Sequence, residues 1–177
     1  YNDDGIEYQY VNESVITKVV EAAVTHNRID ALDWLMQWPH MSEDQRRWAM
    51  IAAASEAAYE NRVTVLQWMR DNHPNGFGNV VRESQAMKIA IHSFHFETLD
   101  WLLSPAQGPL FSPDEITHGW RKLMDWASVA NRIDGMEHAL AGDATIDLID
   151  VLRHYFTIVS YPIEGEKLAT IEWLVAH

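Results

Sequence analysis

Apolar residues recur along this chain at helical spacing, in two kinds of segment that alternate. In the first kind, Val15, Ile16, Val19, Val20, Ala22 and Ala23 follow an i, i+3, i+4, i+7 pattern. Trp48, Ile51 and Ala52 do so again, as do Met87, Ala90 and Ile91. That spacing puts one apolar stripe on one helix face. In the second kind, Ile29, Leu32, Leu35 and Met36 form a stripe, and Val63, Leu66 and Met69 form another. The pattern predicts first helices near 14–26, 43–60, 82–93, 113–130 and 146–160. Second helices are predicted near 29–38, 63–71, 96–103, 132–140 and 166–176.

Local signals punctuate this pattern. Ser42-Glu43-Asp44-Gln45 is a capping box, a serine followed three residues later by glutamine. Ser112-Pro113-Asp114-Glu115 adds proline at the first helical position and acids suited to the helix dipole. Asp71 to Asn79 and Ser104 to Pro109 are rich in proline and glycine and are expected to be loops. Pro162 should end the last first helix early.

The alternation has a period. Asn27-Arg28-Ile29-Asp30-Ala31-Leu32-Asp33-Trp34-Leu35 is echoed by Asn61-Arg62-Val63-Thr64-Val65-Leu66-Gln67-Trp68-Met69. Further copies begin at Phe94, Asn131 and Glu166, so the starts at 27, 61, 94, 131 and 166 are separated by 34, 33, 37 and 35 residues. Such a period marks stacked helical hairpins, none of which can bury its apolar face alone. The expected fold is therefore all-α, an α-solenoid of about five helix-turn-helix repeats. Their limits fall near 14–41, 42–79, 80–111, 112–143 and 144–177, in a single domain from 14 to 177 behind an acidic lead-in at 1–13. Tyr8 and Tyr10 of the lead-in are expected to pack on the first repeat.

Four residues before the copy starts lie Ala23, Ala57, Ala90 and Ala127. A small side chain there lets two helices approach closely. Asparagine at 27, 61 and 131 suits a turn residue with positive φ, so that one helix ends and the next begins at once. Phe94 and Glu166 fit this role poorly, and their turns are expected to differ.

The small-residue pair, the turn, and then polar–aliphatic–acid–x–aliphatic–x–x–Leu resemble the ankyrin repeat. Ala23-Val24 with Asn27-Arg28-Ile29-Asp30, Leu32 and Leu35 carries the resemblance first. Ala57-Ala58 with Asn61-Arg62-Val63, and Ala127 with Asn131-Arg132-Ile133-Asp134, carry it again. Asparagine stands where that family has glycine. The Thr-Pro-Leu-His opening of the family's first helix is missing; Lys18-Val19-Val20-Glu21 and Lys122-Leu123-Met124-Asp125 stand in its place. Plain loops are accordingly expected instead of β-hairpin fingers. Tryptophan in the second helix is similar to divergent ankyrin repeats of oomycetes, amoebae and giant viruses, which implies a pathogen effector acting on a host protein.

The resemblance implies a binding strip on the first helices, just before each turn. By register this is Thr25, His26, Tyr59, Glu60, His92, Ser93, Val129 and Ala130, with Glu56 and Trp126 one turn earlier. The implied partner is another protein, redirected or inhibited. A spacer segment of a larger protein is the alternative.

Composition narrows the classes further. The 177 residues carry 26 acidic and 13 basic side chains, a net charge of −13. Such a chain repels polyanions, and no local basic stripe offsets this, so nucleic acid is not an expected partner. No apolar run approaches membrane-spanning length, so no membrane partner is expected, and a monomer is. The absence of cysteine removes disulfides and thiolate chemistry. The chain begins at Tyr1 without a leader and is read as a mature or trimmed product, soluble in a cytoplasm or secreted into a host cell.

No enzyme signature is present, neither a phosphate-binding glycine loop nor a Gly-x-Ser-x-Gly elbow nor His-Glu-x-x-His, and no cofactor or catalytic residue is assigned. A metal or degenerate catalytic site at His92, His95 and Asp100 is the weakest alternative. Asp143, Asp147 and Asp150 are read as acids at a helix start. Asn12-Glu13-Ser14 forms a glycosylation sequon but also a polar helix cap, which is the preferred reading. His26 and His138 are expected to be partly buried and hydrogen-bonded. Trp34, Trp68, Trp101 and Trp173 keep the repeat register and are expected in the core. Trp38, Trp48, Trp120 and Trp126 do not, which makes them candidate hot spots, Trp126 first.

Overall fold

The computed structural model describes residues 13–104, 110–158 and 165–177. Among these the chain is all-helical, with eleven helices and no strand. They are α1 (Glu13–Thr25), α2 (Ile29–Met36), α3 (Glu43–Tyr59), α4 (Val63–Asn72), α5 (Phe77–Glu83) and α6 (Ala86–Ser93). Then come α7 (Phe96–Leu103), α8 (Pro113–Val129), α9 (Ile133–Gly142), α10 (Leu148–Ile158) and α11 (Gly165–Ala176). The chain divides into two compact units, one ending at Ala86 and the other beginning at Met87. The lead-in with Tyr8, Tyr10 and Asn12, the 105–109 part of the proline-rich break, and Pro162 lie outside the described residues.

The turns explain the asparagines and alanines together. Asn27, Asn61 and Asn131 adopt φ of 52°, 54° and 55°. At the first of them the Asn27 N–H donates to the Val24 carbonyl at 2.9 Å and the Arg28 N–H donates to the Ala23 carbonyl at 2.7 Å. Those two bonds are the Schellman closure, which satisfies carbonyls that a helix end leaves without partners. The Arg62 N–H reaches Ala57 at 2.7 Å and the Arg132 N–H reaches Ala127 at 2.8 Å in the same way. The registered alanine is therefore both the acceptor that closes the turn and a buried contact; Ala57 and Ala127 are fully inaccessible. A Cβ on Gly135 in α9 would lie 2.8 Å from the Cβ of Ala127 in α8, which measures how closely such a hairpin packs.

Phe94 departs from expectation. Its backbone is that of the asparagine turns, with φ 54° and the His95 N–H donating to the Ala90 carbonyl at 2.9 Å. A bulky residue in the left-handed region costs roughly 1–2 kcal/mol. Its ring recovers part of this by packing beneath the Arg132 guanidinium, 4.4 Å from the ring centroid, and against Gly135. Glu166 does differ, being inside α11 rather than at a left-handed turn.

Both capping boxes form. The Gln45 N–H donates to the Ser42 hydroxyl at 3.1 Å, and the Gln45 side chain accepts from the Ser42 N–H at 2.9 Å. Ser112 and Glu115 repeat the arrangement at 3.3 and 2.7 Å. Asp147 caps α10, accepting from the Ile149 N–H at 2.9 Å, and Asp143 accepts from Thr145, so these acids are structural as expected.

The segment after α4 does not follow its reading as an unbroken loop. Gly76, at φ 84°, lets the chain re-enter a helix at Phe77. The expected helix at 82–93 is in fact α5 and α6, separated by a further left-handed residue, Gln85, at φ 56°. Phe77, Val80 and Val81 are buried, so apolar burial overrides the glycine and proline signals around them. The segments at 37–42, 73–76 and 143–147 hold no strand.

Among the registered tryptophans, Trp68, Trp101 and Trp173 are buried. Trp34 is not: it is 64% exposed, with its ring stacked on Trp38 at 6.3 Å. Register fixes the face a side chain takes, but burial needs a neighbour on that face, and among the described residues Trp34 stacks on the residue one turn ahead. Trp120, off register, is buried against Gly142.

Candidate functional site

The last turn of a first helix carries two kinds of side chain. Those at the registered alanines and the residues just after them are buried, and those two or three residues later are partly or fully exposed. In the N-terminal unit this exposed set is acidic. Thr25 at the end of α1 hydrogen-bonds Glu56 of α3, and Glu21 and Glu60 lie close enough to act on the same carboxylate. Desolvation raises the Glu56 carboxyl above its ordinary range; repulsion from Glu60 and Glu21 adds to this, and Thr25 opposes it. Tyr59 stands beside them, 60% exposed. The Arg62 guanidinium reaches back to the Thr25 carbonyl at 2.7 Å. His26 is exposed rather than partly buried, although its ring Nδ1 lies 3.1 Å from the Ala22 carbonyl.

In the C-terminal unit the corresponding set lines a cleft of 480 Å³ between α6, α8 and α10. Trp126 and His92 pair within its lining. The indole stacks on His92 with centroids 4.6 Å apart, and its Nε1–H donates to the His92 carbonyl at 3.3 Å. It remains 38% exposed, with Val129, 37% exposed, one turn along. Met87 and Ile91 complete the apolar lining. Lys88 of α6, His118, Lys122 and Asp125 of α8, and His154 of α10 supply the polar groups.

The expected strip is thus gathered in two groups. Thr25, Glu56 and Glu60 meet in the N-terminal unit, with Tyr59 and His26 exposed nearby; His92, Trp126 and Val129 meet in the cleft. Ser93 and Ala130 sit at the helix ends and do not line the cleft. Lys88, His118, Lys122, Asp125 and His154 belong to the cleft but were not among the expected residues. Helical arithmetic could have found most of them, because Lys88 lies four residues before His92, and Lys122 and His118 lie four and eight before Trp126.

The trio suggested for a metal is pulled apart. His92 faces Trp126, whereas the Asp100 carboxylate is taken by His138 at 2.8 Å. His138 is itself sandwiched toward Phe96 at 4.4 Å, which makes it the partly buried, hydrogen-bonded histidine expected. Among the described residues no group of three or more histidine or acidic side chains is placed to hold a metal ion. No helix among them is long and apolar enough to cross a membrane.

No protein-family model, curated protein or solved structure matches this chain.

Proposed function

We propose that this chain is a non-enzymatic protein-binding module, an ankyrin-like α-solenoid of about five helix-turn-helix repeats. One observation carries the reading. The same left-handed turn, closed by the same backbone bond, recurs at 27, 61, 94 and 131, and each time the side chains just before it are left outside the core. The backbone bonds that close the turn do not use these side chains; they include a 60% exposed tyrosine, and one turn earlier stands a partly exposed tryptophan. Aromatic side chains held open on a rigid helix end are the usual anchors of a protein interface. Affinity would come from these anchors and partner choice from the charges beside them.

A spacer segment would present a mixed polar surface. The clustering of Trp126, His92, Val129, Met87 and Ile91 in one cleft favours a binder instead. An effector that redirects or blocks a host protein is the setting in which such a module would act. Pull-down from candidate host lysate, comparing the native chain with Tyr59→Ala/Trp126→Ala, tests the reading. A stoichiometric partner lost in the double variant supports it. The absence of any partner makes the spacer the better account.

A further inference from the structure

We propose, resting on the protein-binding reading above, that the cleft between α6, α8 and α10 receives an acidic segment of the partner, seated by an apolar anchor side chain. The floor is apolar: Met87, Ile91, Trp126 and Val129. The polar groups around it run against the charge of the whole molecule. The chain has 26 acidic and 13 basic side chains, yet the cleft holds Lys88, Lys122 and three histidines against the single acid Asp125.

Both lysines are exposed, and among the described residues neither has an ion-pair partner. An unpaired ammonium beside an apolar floor is the complement of a carboxylate beside an apolar side chain.

The spread of the charges argues for a segment rather than a small acid. Lys88 and His92 come from α6, His118 and Lys122 from α8, and His154 from α10. A single carboxylate could engage only part of this set. From His118 to Val129 the α8 wall runs roughly 16 Å at the helical rise, the length of about three turns of a docked helix. A helix laid in such a groove would place apolar residues at i, i+3, i+4 and i+7 on the floor and acids along its flanks.

The test uses three labelled helical peptides with identical leucine anchors at those spacings, flanked by glutamate, glutamine or lysine. Binding to the full chain is followed by fluorescence anisotropy, with laurate as a small amphiphilic acid for comparison. The glutamate peptide should bind at least about tenfold more tightly than the glutamine one, and the lysine peptide least. Raising salt from about 0.05 to about 0.5 M should shrink that preference.

Lys88→Glu/Lys122→Glu should abolish the preference. Lys18→Glu/Arg28→Glu, which alters net charge equally in the N-terminal unit, should keep it, and circular dichroism melts establish that both variants fold. Equal binding of all three peptides, lost in Trp126→Ala, would overturn the acid preference and leave the binding module standing. Laurate bound at Trp126 with no peptide bound would overturn the docking of a partner segment in this cleft. Failure of every probe at this cleft would overturn the proposal, while the lysate experiment still judges the module independently.

Discussion

The two units place the same backbone device under opposite chemistry. Asn61 and Asn131 have φ within a degree of each other, and the following arginine closes each turn onto a buried alanine at 2.7 and 2.8 Å. Just before those turns, however, the N-terminal unit displays Glu56, Tyr59 and Glu60, and the C-terminal unit displays Trp126 and Val129 beside Lys122. The Arg28–Asp30 and Arg132–Asp134 pairs recur as well, at 2.7 and 2.6 Å. What the two turns share is thus the closure and its small buried contact. What they leave open is the sign of the charge a few ångströms away.

The strongest challenge to that comparison is steric. Ala57→Leu and Ala127→Leu should each destabilise by about 1–3 kcal/mol in denaturant titration, since both sites are closed and overpacking forces the hairpin apart. A mild effect in one unit alone would show that the shared closure is not shared in packing. Next is the turn itself. Asn27 and Asn131 each accept a threonine hydroxyl, from Thr64 and Thr170, at 2.7 Å. Asn27→Ala and Asn131→Ala should each cost about 1–2 kcal/mol, combining the left-handed penalty with a lost hydrogen bond.

The acidic strip gives a smaller effect of opposite sign. The Glu56 carboxyl is raised in the fold, so the folded chain holds that proton at higher pH than the unfolded chain does. Its ionised form therefore opposes folding at neutral pH, and the cost fades as pH falls through the raised value. Glu56→Gln should stabilise the chain at neutral pH by a few tenths of a kcal/mol, about what a largely solvated site allows, with the gain vanishing toward acid in melts across pH.

The smallest effect separates the paired acids. Hydrogen bonding to Arg28 holds Asp30 down to about 2, and Arg132 lowers Asp134 in the same way. Each contributes stability that is present above the ordinary carboxyl range and lost as pH falls through the lowered value. Asp134→Asn should cost less than about 0.5 kcal/mol at neutral pH and nothing in strong acid. A pH-independent loss would mean that the pair acts through packing.

Much of this was readable from the chain. Asparagine at 27, 61 and 131 announced the left-handed turns, and serine at 42 and 112 announced helix starts that form with both box hydrogen bonds. Phe94 was unreadable in isolation because the residues that make its conformation tolerable, Arg132 and Gly135, lie far along the chain at the start of α9. Helix α5 was hidden by His73-Pro74-Asn75-Gly76, a break that lasts only until Gly76 turns the chain back into helix. Of the cleft, register located His92, Trp126 and Val129, the residues nearest the turns. Lys88, Lys122 and His118, one or two turns upstream, and His154 on α10 escaped because a basic cluster assembled from three helices leaves no run in the sequence. The net charge of −13 pointed the other way.

The closing bonds of these turns join main chain to main chain, so the side chains at 25–26, 59–60, 92–93 and 129–130 take no part in closing them. Substitutions there can alter what the surface recognises without asking the hairpin to refold. On the proposed binding reading, partner choice could be rewritten at those positions while the alanines that close the turns stay fixed. A chain built this way can diverge in specificity faster than in shape.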